Sequence, residues 1–239
     1  AARARAPAPE AEDPVVIWAE AALAAVVSHV HDAPANDPGI AERLAALSHL
    51  AREMATQMDF RFLMDPDRQL MSIGYVTSES RRDSNCYDLL ASEARLASFF
   101  AIAKGEVPTK HWFRLGRATT LVEGGAALVS WSGSMFEYLM PSLVMRAPFG
   151  SLLESTNRLI VRRQISYGAA IGTPWGISES AYNARDFEFT YQYLNFGVPG
   201  LGLKRGLSAS RVIAPYATAL AAMVDPVAGV QNYKALEGA

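Results

Sequence analysis

The sequence predicts a mainly α-helical domain in which hairpins of helices form a toroid around a cleft, with short β-hairpins and long aromatic loops between the helices. Two observations support this fold class. Apolar residues recur at helical spacing in several segments, and the connections between these segments are irregular and rich in aromatic residues. The 239 residues, half of them hydrophobic, are enough for one large domain or part of one. We expect about seven helices, fewer than a closed double ring of helices needs.

The first two helices are predicted over residues 14–31 and 37–58, because both segments place apolar residues at the helical period. The join between them is rich in Pro, Asn, Asp and Gly, and Asp37 and Pro38 are predicted to open the second helix. The preceding residues 1–13 are rich in Ala, Pro and Arg and lack the apolar segment of a signal peptide. We predict that they form a disordered linker.

Short strands and one helix are predicted in the next part of the chain. Residues 60–76 hold two apolar runs around an Asp-Pro-Asp turn at 65–67, which indicates a β-hairpin. Residues 88–103 carry one broad apolar stripe at helical spacing and are followed by a Lys-Gly stop. Two further strands are predicted within residues 112–132, joined across a Glu-Gly-Gly turn.

The second half of the sequence begins with a short helix predicted over residues 135–139 and a long helix over residues 151–167, which Gly168 is expected to end. Residues 172–206 differ from the rest, since they are aromatic, rich in glycine and without a sustained period. A loop of this length and composition is more often a binding surface than a simple connection. The last two helices are predicted over residues 208–224 and 226–236.

Composition and motifs exclude several classes of function. The net charge of −2 and the pI near 6.1 give no basic surface of the kind that binds nucleic acid. The sequence carries no nucleotide-binding glycine motif and no nucleophile elbow, and its histidines lack metal-ligand spacing. The single cysteine, Cys86, excludes an internal disulfide. No apolar run is long enough to span a bilayer, so we predict no transmembrane segment. From the missing motifs and ligand spacing we predict neither a metal nor a cofactor.

Carboxylates among aromatic residues remain, and this combination is typical of glycoside chemistry, which needs one protonated acid and a second carboxyl as nucleophile or base. Glu179 stands between Trp175 and Tyr182 in the sequence. Their rings are expected to surround its carboxyl, raise its pKa and favour its acid form. The flanking serines equally favour a role for Glu179 as a cap at the start of a helix. Residue types alone do not separate these two interpretations.

The second candidate is Glu93, which is expected on or beside the apolar stripe of its predicted helix. A carboxylate at such a position needs a partner or a cleft. A buried ion pair with Arg82 or Arg117 is at least as common an explanation as catalysis. Two acids just upstream, Asp83 and Asp88, are further candidates, although most such acids cap turns or are solvated.

Two features of the aromatic segment also have alternative explanations. The aromatic residues between 187 and 196 mostly alternate with polar ones, which favours a half-buried strand packed on the core at least as much as a sugar-binding surface. Lys204 and Arg205 follow a Gly-rich turn, and they are equally explained as a site for sugar hydroxyl groups or as a solvated loop.

Several longer strings are distinctive in themselves: YDLLASEARL (87–96), FEYLMP (136–141), QISYG (164–168), PWGISESAYNARD (174–186), YQYLNFGVPGLGLKRGL (191–207) and VIAPYATALA (212–221). Together they resemble the glycoamylase-like domain of cyclic β-1,2-glucan synthases, over roughly residues 59–239. The strings occur in order, and several exceed ten residues, so chance is a poor explanation for the resemblance.

The resemblance implies an (α/α)6 toroid that acts on β-1,2-glucan and closes a linear chain into a ring by transglycosylation. It also implies one catalytic domain over residues 14–239 that is incomplete at its C-terminus. The domain would belong to a large bacterial inner-membrane protein, would lie on the cytoplasmic side, and would be accompanied by glycosyltransferase and phosphorylase-like parts of the same polypeptide. Neither a metal nor a cofactor is implied.

The resemblance also implies roles for individual residues. Glu179 in the ISES string corresponds to the acid/base, and Glu93 in the LLASEARL string corresponds to the nucleophile of a retaining mechanism; the reversed assignment stays open. Side chains that stack on sugar rings or bind their hydroxyl groups are predicted to contact the substrate. They are Arg82, Asp83, Tyr87, Asp88, Trp175, Tyr182, Asn183, Arg185, Asp186, Tyr193 and Lys204.

Two other functions compete with transglycosylation. An endo-β-1,2-glucanase would hydrolyse the same glucan with the same pair of glutamates. A glycan-binding module without catalytic activity would use the aromatic segment and need neither glutamate. Product analysis on a linear glucan distinguishes the first of these from a ring-forming enzyme, and substitution of both glutamates tests the second.

Overall fold

A computed structural model describes residues 14–32 and 39–238 of the chain. Contacts between Cα atoms divide the chain into two units, residues 1–58 and residues 59–239. Each unit is described by itself. The prediction of a single domain that begins at residue 14 stays a prediction.

The described part of the first unit consists of the helices α1 (Pro14–Asp32) and α2 (Ile40–Gln57), so both predicted helices are confirmed. α2 begins after Gly39, which occupies its N-cap position. The predicted linker over residues 1–13 lies outside the described residues, as do Asp37 and Pro38.

The second unit begins with short antiparallel strands. The strands β1 (Met64–Asp65), β2 (Leu70–Ser72) and β5 (Cys86–Tyr87) form one sheet in the order β1-β2-β5. Between them in sequence, β3 (Tyr75–Val76) pairs with β4 (Arg81–Arg82). The predicted hairpin is confirmed, and the Asp65 carboxylate holds its turn by accepting the backbone amides of residues 67 and 68.

The helix α3 (Arg95–Ala103) begins well after its predicted start at residue 88, so the prediction that Glu93 lies in a helix is wrong. Leu89 instead pairs with Gly116 in an isolated parallel bridge, which keeps this segment extended. The Ser92 hydroxyl then accepts the backbone amide of residue 94 at 3.2 Å and turns the chain into the helix. Glu93 therefore occupies the turn that leads into α3.

The next segment forms a helix and a β-hairpin. α4 (Lys110–Arg114) includes Trp112, which was predicted to begin a strand. The predicted hairpin is confirmed over the shorter strands β6 (Thr119–Val122) and β7 (Gly125–Leu128). Its turn residues, Glu123 and Gly124, both have positive φ angles.

The helices α5 (Met135–Leu139) and α6 (Leu152–Ile171) confirm two predicted elements. α6 continues through Gly168, however, and ends at Gly172, which has a φ of 68°. Gly168 does not end the helix because it serves packing: a Cβ at this position would lie 2.9 Å from the Cβ of Trp175. The glycine lets the chain after α6 lie directly against the helix.

The aromatic segment folds into the antiparallel strands β8 (Ser180–Arg185) and β9 (Tyr191–Leu194). The helices α7 (Pro215–Ala222) and α8 (Pro226–Glu237) follow. α7 begins later than predicted, because Ile213 still pairs with Ile177 as extended chain and Pro215 occupies the first turn of the helix.

The buried core lies among α5, α6, α7 and the chain that crosses between them. Its most buried side chains include Tyr138, Leu139, Ile160, Ile177 and Leu201. About half of the described residues are helical and the sheets are small, which confirms the predicted mix of helices and short hairpins. Closure of the helices into an (α/α)6 toroid stays a prediction.

Candidate active site

A tight loop over residues 130–134, here called the serine loop, forms one wall of the candidate site and is held by a buried carboxylate. Glu137 in α5 is 6% exposed. Its carboxylate accepts the Ser130 hydroxyl at 2.7 Å and the Ser132 amide at 3.0 Å. The Ser134 amide adds a bond at 3.2 Å, and the Ser134 hydroxyl in turn accepts the Glu137 amide and caps α5.

Two glycines on a neighbouring segment pack against the serine loop. A side chain at Gly197 or Gly202 would overlap the backbone of Ser132. The loop is also bonded at its edge, since the Lys204 amide donates to the Trp131 carbonyl at 2.8 Å. This close packing fixes the backbone from which Trp131 projects.

Trp131 and Asp88 connect the serine loop to the chain after β5. The Trp131 indole is half-exposed, and its Nε1 donates to the Asp88 carboxylate at 3.2 Å. The residue before Asp88 is Tyr87, whose pKa is raised by burial and by the negative charges of Glu93 and Glu179. One tyrosine therefore lies within the electrostatic influence of both candidate glutamates.

Glu93 is half-buried in the turn before α3. The Ser92 hydroxyl donates to its carboxylate at 3.3 Å. Burial raises the pKa of Glu93, and the negative charge of Glu137 raises it further. The backbone amide of Glu93 itself, the Ser92 hydroxyl and the positive charge of Arg95 oppose these effects. Glu93 therefore keeps its proton to a higher pH than a solvated glutamate does.

The competing interpretation of Glu93 required a buried ion pair with Arg82 or Arg117. Arg82 is exposed in β4, and Arg117 donates to backbone carbonyls at 2.6 and 2.8 Å. The buried cation near Glu93 is Arg95, which donates to two carbonyls of α5 at 3.1 and 2.6 Å. Burial lowers the pKa of Arg95 to about 10. Within the described residues, neither predicted arginine forms an ion pair with Glu93.

Glu179 is half-buried immediately before β8, so it does not cap a helix. The Tyr216 hydroxyl donates to its backbone carbonyl at 2.7 Å. The Tyr193 hydroxyl borders the same cavity as the Glu179 carboxylate and lowers its pKa in the way that a hydrogen-bond donor does. Burial raises the pKa of Glu179, the negative charge of Glu93 raises it further, and the Tyr193 hydroxyl opposes both effects. The charge of Glu93 therefore reaches the Glu179 carboxyl, and both charges reach the hydroxyl groups of Tyr87 and Tyr193.

Two surface cavities share the ring of Tyr193. The first has a volume of about 380 Å³ and is bordered by Phe136, Glu179, Ser180, Ala181, Tyr193 and Tyr216. The second has a volume of about 440 Å³ and is bordered by Trp131, Ser132, Tyr193, Leu194, Asn195, Leu203 and Lys204. Both volumes lie within the range of roughly 300–1,000 Å³ that is typical of ligand sites. Aromatic rings thus wall a surface that is large enough for sugar rings and has Glu179 at its edge.

Trp175 and Tyr182 do not provide the rings that were predicted to surround the Glu179 carboxyl. Trp175 lies in the hydrophobic core at 8% exposure, and its backbone amide and carbonyl both bond the Asn232 side chain, at 3.1 and 2.8 Å. Tyr182 packs edge-on against Phe196 with ring centroids 5.3 Å apart. The rings that border Glu179 come instead from α5, β9 and α7.

Besides Tyr182 and Tyr193, three predicted substrate contacts lie on the β8–β9 hairpin. Asn183 is exposed on β8. The Arg185 guanidinium lies 4.3 Å from the centroid of the Tyr191 ring and donates to its hydroxyl. The Asp186 carboxylate accepts backbone amides of the hairpin turn at 2.9 and 3.0 Å. These contacts stabilise the hairpin, and a role of these residues in binding stays a prediction.

The rings at the hairpin tip are not packed as a half-buried strand. Phe187 is fully exposed and Phe189 is 76% exposed, whereas Phe196 at the other end is 5% exposed. The interpretation as a packed strand is therefore wrong for the tip and correct only where the chain re-enters the core.

Arg82 and Asp83 border a different cavity, of about 620 Å³, to which neither Glu93 nor Glu179 contributes. The Asp83 carboxylate accepts the Asn85 amide at 2.8 Å, as a turn cap does. Lys204 does border the second ring-walled cavity, although its Nζ donates to a backbone carbonyl at 2.7 Å.

Sequence reasoning missed four residues that shape the site: Trp131, Phe136, Glu137 and Tyr216. For Glu137 a signal existed, because a serine three residues before a glutamate is the pattern of a capping box. Phe136 and Tyr216 stand in distinctive strings, but local sequence does not indicate that their rings meet at Glu179. Trp131 acquires its position only through the folded serine loop.

Other kinds of site are not found in the described part of the chain. Its side chains include no group of three or more His, Cys, Asp or Glu residues that would suit a metal ion. None of its helices combines the length and the apolar character that a membrane span requires.

Comparison with known proteins identifies the family. A family model for Glycoamylase matches residues 85–238, which include both glutamates. The chain belongs to this family. The glycoamylase-family chain is also 55% identical over 222 residues to the cyclic β-(1,2)-glucan synthase NdvB of Rhizobium meliloti (strain 1021). That match covers 91% of the chain but only 8% of the synthase, so the chain spans a small part of its relative's length. The resemblance found in the sequence is confirmed.

Proposed function

We propose that this chain is a retaining transglycosylase domain that acts on linear β-1,2-glucan and closes it into a cyclic glucan. The observation that carries the proposal is that Glu179 borders an aromatic-walled cavity and that its pKa is raised by burial and by the negative charge of Glu93. Similarity to a cyclic β-(1,2)-glucan synthase supports the choice of substrate. We further propose that the helices belong to an (α/α)6 toroid.

The contacts favour Glu93 as the acid/base and Glu179 as the nucleophile, the reverse of the assignment that the resemblance implied. The Tyr193 hydroxyl lowers the pKa of Glu179 and so favours its ionised form, which is the form that attacks. Burial and the negative charge of Glu137 favour the protonated form of Glu93, which is the form that a general acid needs.

The proposed reaction has two steps. In the first, the Glu179 carboxylate attacks the anomeric carbon while Glu93 gives its proton to the glycosidic oxygen, so the C–O bond breaks and a glycosyl ester forms. In the second, a glucan hydroxyl attacks the same carbon, the ester bond breaks and Glu93 takes the proton of that hydroxyl. A ring closes when the hydroxyl belongs to the other end of the same chain. Bonds and protons balance without a cofactor.

Transfer exceeds hydrolysis only if the ester is kept from water. The rings of Phe136, Tyr193 and Tyr216 border the cavity at Glu179 and offer apolar surface for this purpose. The same rings are suited to stacking on the sugars of a bound acceptor. A surface that holds an acceptor glucan in place of water supports transglycosylation over hydrolysis.

We also propose that this domain works beside glycosyltransferase and phosphorylase-like parts of one polypeptide, on the cytoplasmic side of a bacterial inner membrane. The small share of the synthase that the chain covers supports the presence of further parts. A ring-closing domain needs a supply of linear glucan, which a polymerising part of the same protein would provide.

The test uses the full-length protein with linear β-1,2-glucan as the sole substrate and mass spectrometry of the products. Transglycosylation yields cyclic products that are one water lighter than the linear chains of equal length. Linear products alone would identify a hydrolase. The variants Glu93→Gln and Glu179→Gln should each lose at least about 10³-fold in rate. Full ring formation by both variants would identify a binding module instead.

A further inference from the structure

We propose that Glu137 is a positioning residue for this reaction: its buried carboxylate sets the conformation of the serine loop and acts by its charge on Glu93. The inference rests on the proposed function of the site. It gives a role to a buried acid that the two-step reaction does not use.

The hydrogen bonds of Glu137 exceed what a helix cap requires. A capping box needs only the reciprocal contacts between Ser134 and Glu137. One carboxylate oxygen of Glu137 also accepts the Ser130 hydroxyl at 2.7 Å and the Ser132 amide at 3.1 Å. The Ser130 oxygen then accepts the Gly133 amide at 2.8 Å. The serine loop is thus built around this carboxylate from its first residue to its last.

Both ring-walled cavities depend on this arrangement for part of their lining. The serine loop carries Trp131, which bonds Asp88 and borders the second cavity. The short helix α5 carries Phe136, which borders the cavity at Glu179. Because Glu137 joins the loop to the helix, a change in its length should move both walls relative to the glutamates.

The charge of Glu137 also reaches the reacting carboxyls. Among neighbouring charges, Glu137 has the largest effect on the pKa of Glu93, and it raises that pKa. It also raises the pKa of Glu179, where its effect is the smallest of those that act. The Arg95 guanidinium from α3 faces the same region and opposes the effect on Glu93. The tyrosines in this region are Tyr87 in β5, Tyr138 in α5, Tyr193 in β9 and Tyr216 in α7.

Two variants separate charge from geometry. Glu137→Gln keeps one oxygen as acceptor and removes the charge, so the pKa of Glu93 should fall. A general acid must be protonated, and the basic limb of the kcat/KM profile should therefore move to lower pH, by roughly 0.5–1 unit. Glu137→Asp keeps the charge but shortens the side chain. It should leave the limb in place and lower kcat/KM by about tenfold or more.

A matched control is Glu154→Gln, because Glu154 occupies the same position in the capped first turn of α6 and borders neither ring-walled cavity. It should change neither the pH profile nor kcat/KM. All variants are measured in the full-length protein on linear β-1,2-glucan, with thermal unfolding as the check on folding.

The outcomes distinguish this inference from the proposed function. No conversion of the glucan by the unaltered protein would overturn the function itself. An active protein whose Glu137→Gln variant keeps the original pH limbs, or whose Glu137→Asp variant keeps full kcat/KM, would overturn the role of Glu137. If Glu137→Gln fails to fold, the Asp variant still decides the claim of positioning.

Discussion

Tyr193 in β9 and Glu179 before β8 border the same cavity, and each affects the pKa of the other. Burial and the negative charge of Glu179 raise the pKa of Tyr193 to about 12, which keeps the phenol protonated as a donor at neutral pH. A hydrogen-bond donor stabilises the carboxylate form of its acceptor. This effect on Glu179 is what most clearly favours it over Glu93 as the nucleophile.

Tyr193→Phe should raise the pKa of Glu179, because the donor that lowers it is removed while the aromatic wall is kept. Since the nucleophile must be ionised, the acidic limb of the kcat/KM profile should move to higher pH. The loss of this donor should also lower kcat by about tenfold. Tyr191→Phe, on the same strand but outside both ring-walled cavities, is the control. An acidic limb that stays in place would argue against Glu179 as the nucleophile.

Azide should identify the two glutamates by the stereochemistry of its product. In a Glu179→Ala variant acting on an aryl glycoside, azide can attack the anomeric carbon from the vacated side and give a glycosyl azide of inverted configuration. In a Glu93→Ala variant the ester still forms on Glu179, and azide displaces it to give the retained configuration. NMR of the anomeric proton distinguishes the two products. The opposite pairing of variants and products would restore Glu93 as the nucleophile.

Trp131 should contribute to substrate binding through its ring more than through its Nε1–H. Trp131→Phe removes the bond to Asp88 and keeps an aromatic face, so we expect KM to rise by about threefold or less. Trp131→Ala removes both, and KM should rise by roughly tenfold. Steady-state kinetics on linear glucan measures both values. Equal effects of the two variants would mean that the bond to Asp88, rather than the ring, matters.

Much of the secondary structure could be predicted from the sequence, because strong local signals agree with the fold. The Asp65 turn and the start of α5 have such signals, and both elements are confirmed. Predictions failed where distant contacts decide. The bridge between Leu89 and Gly116 delays α3, and contact with Trp175 lets Gly168 remain inside α6. Periodicity along the chain carries no information about either contact.

The candidate site follows the same division. Glu93, Glu179 and Tyr193 were predicted from strings that resemble a known family, and the charges of both glutamates reach the Tyr193 hydroxyl. Trp175 was predicted to line the site because it is near Glu179 in sequence, yet the chain turns so that its ring enters the core. Tyr216, distant in sequence, takes its place at the cavity. Proximity along the chain is a poor guide here, since the site is assembled from several elements.

The contacts of Asn232 lead to a final prediction, which separates the structural role of Trp175 from a role in binding. The Asn232 side chain, 3% exposed, bonds the Trp175 backbone amide and carbonyl and also donates to the Thr218 hydroxyl at 2.8 Å. Asn232→Ala leaves these buried groups without partners, at a cost of about 2–4 kcal/mol in local stability. We therefore expect faster hydrogen exchange in α8 and around Trp175, measured on the full-length protein, with an unchanged KM for linear glucan.

Gln231→Ala is the matched control for this experiment, because Gln231 neighbours Asn232 on α8 but is exposed. It should leave both exchange and KM unchanged. A raised KM in Asn232→Ala with unaltered exchange would place Trp175 at the substrate, as the sequence first predicted. Faster exchange with normal KM would instead establish that this tryptophan supports the site only by anchoring the chain between α6 and β8.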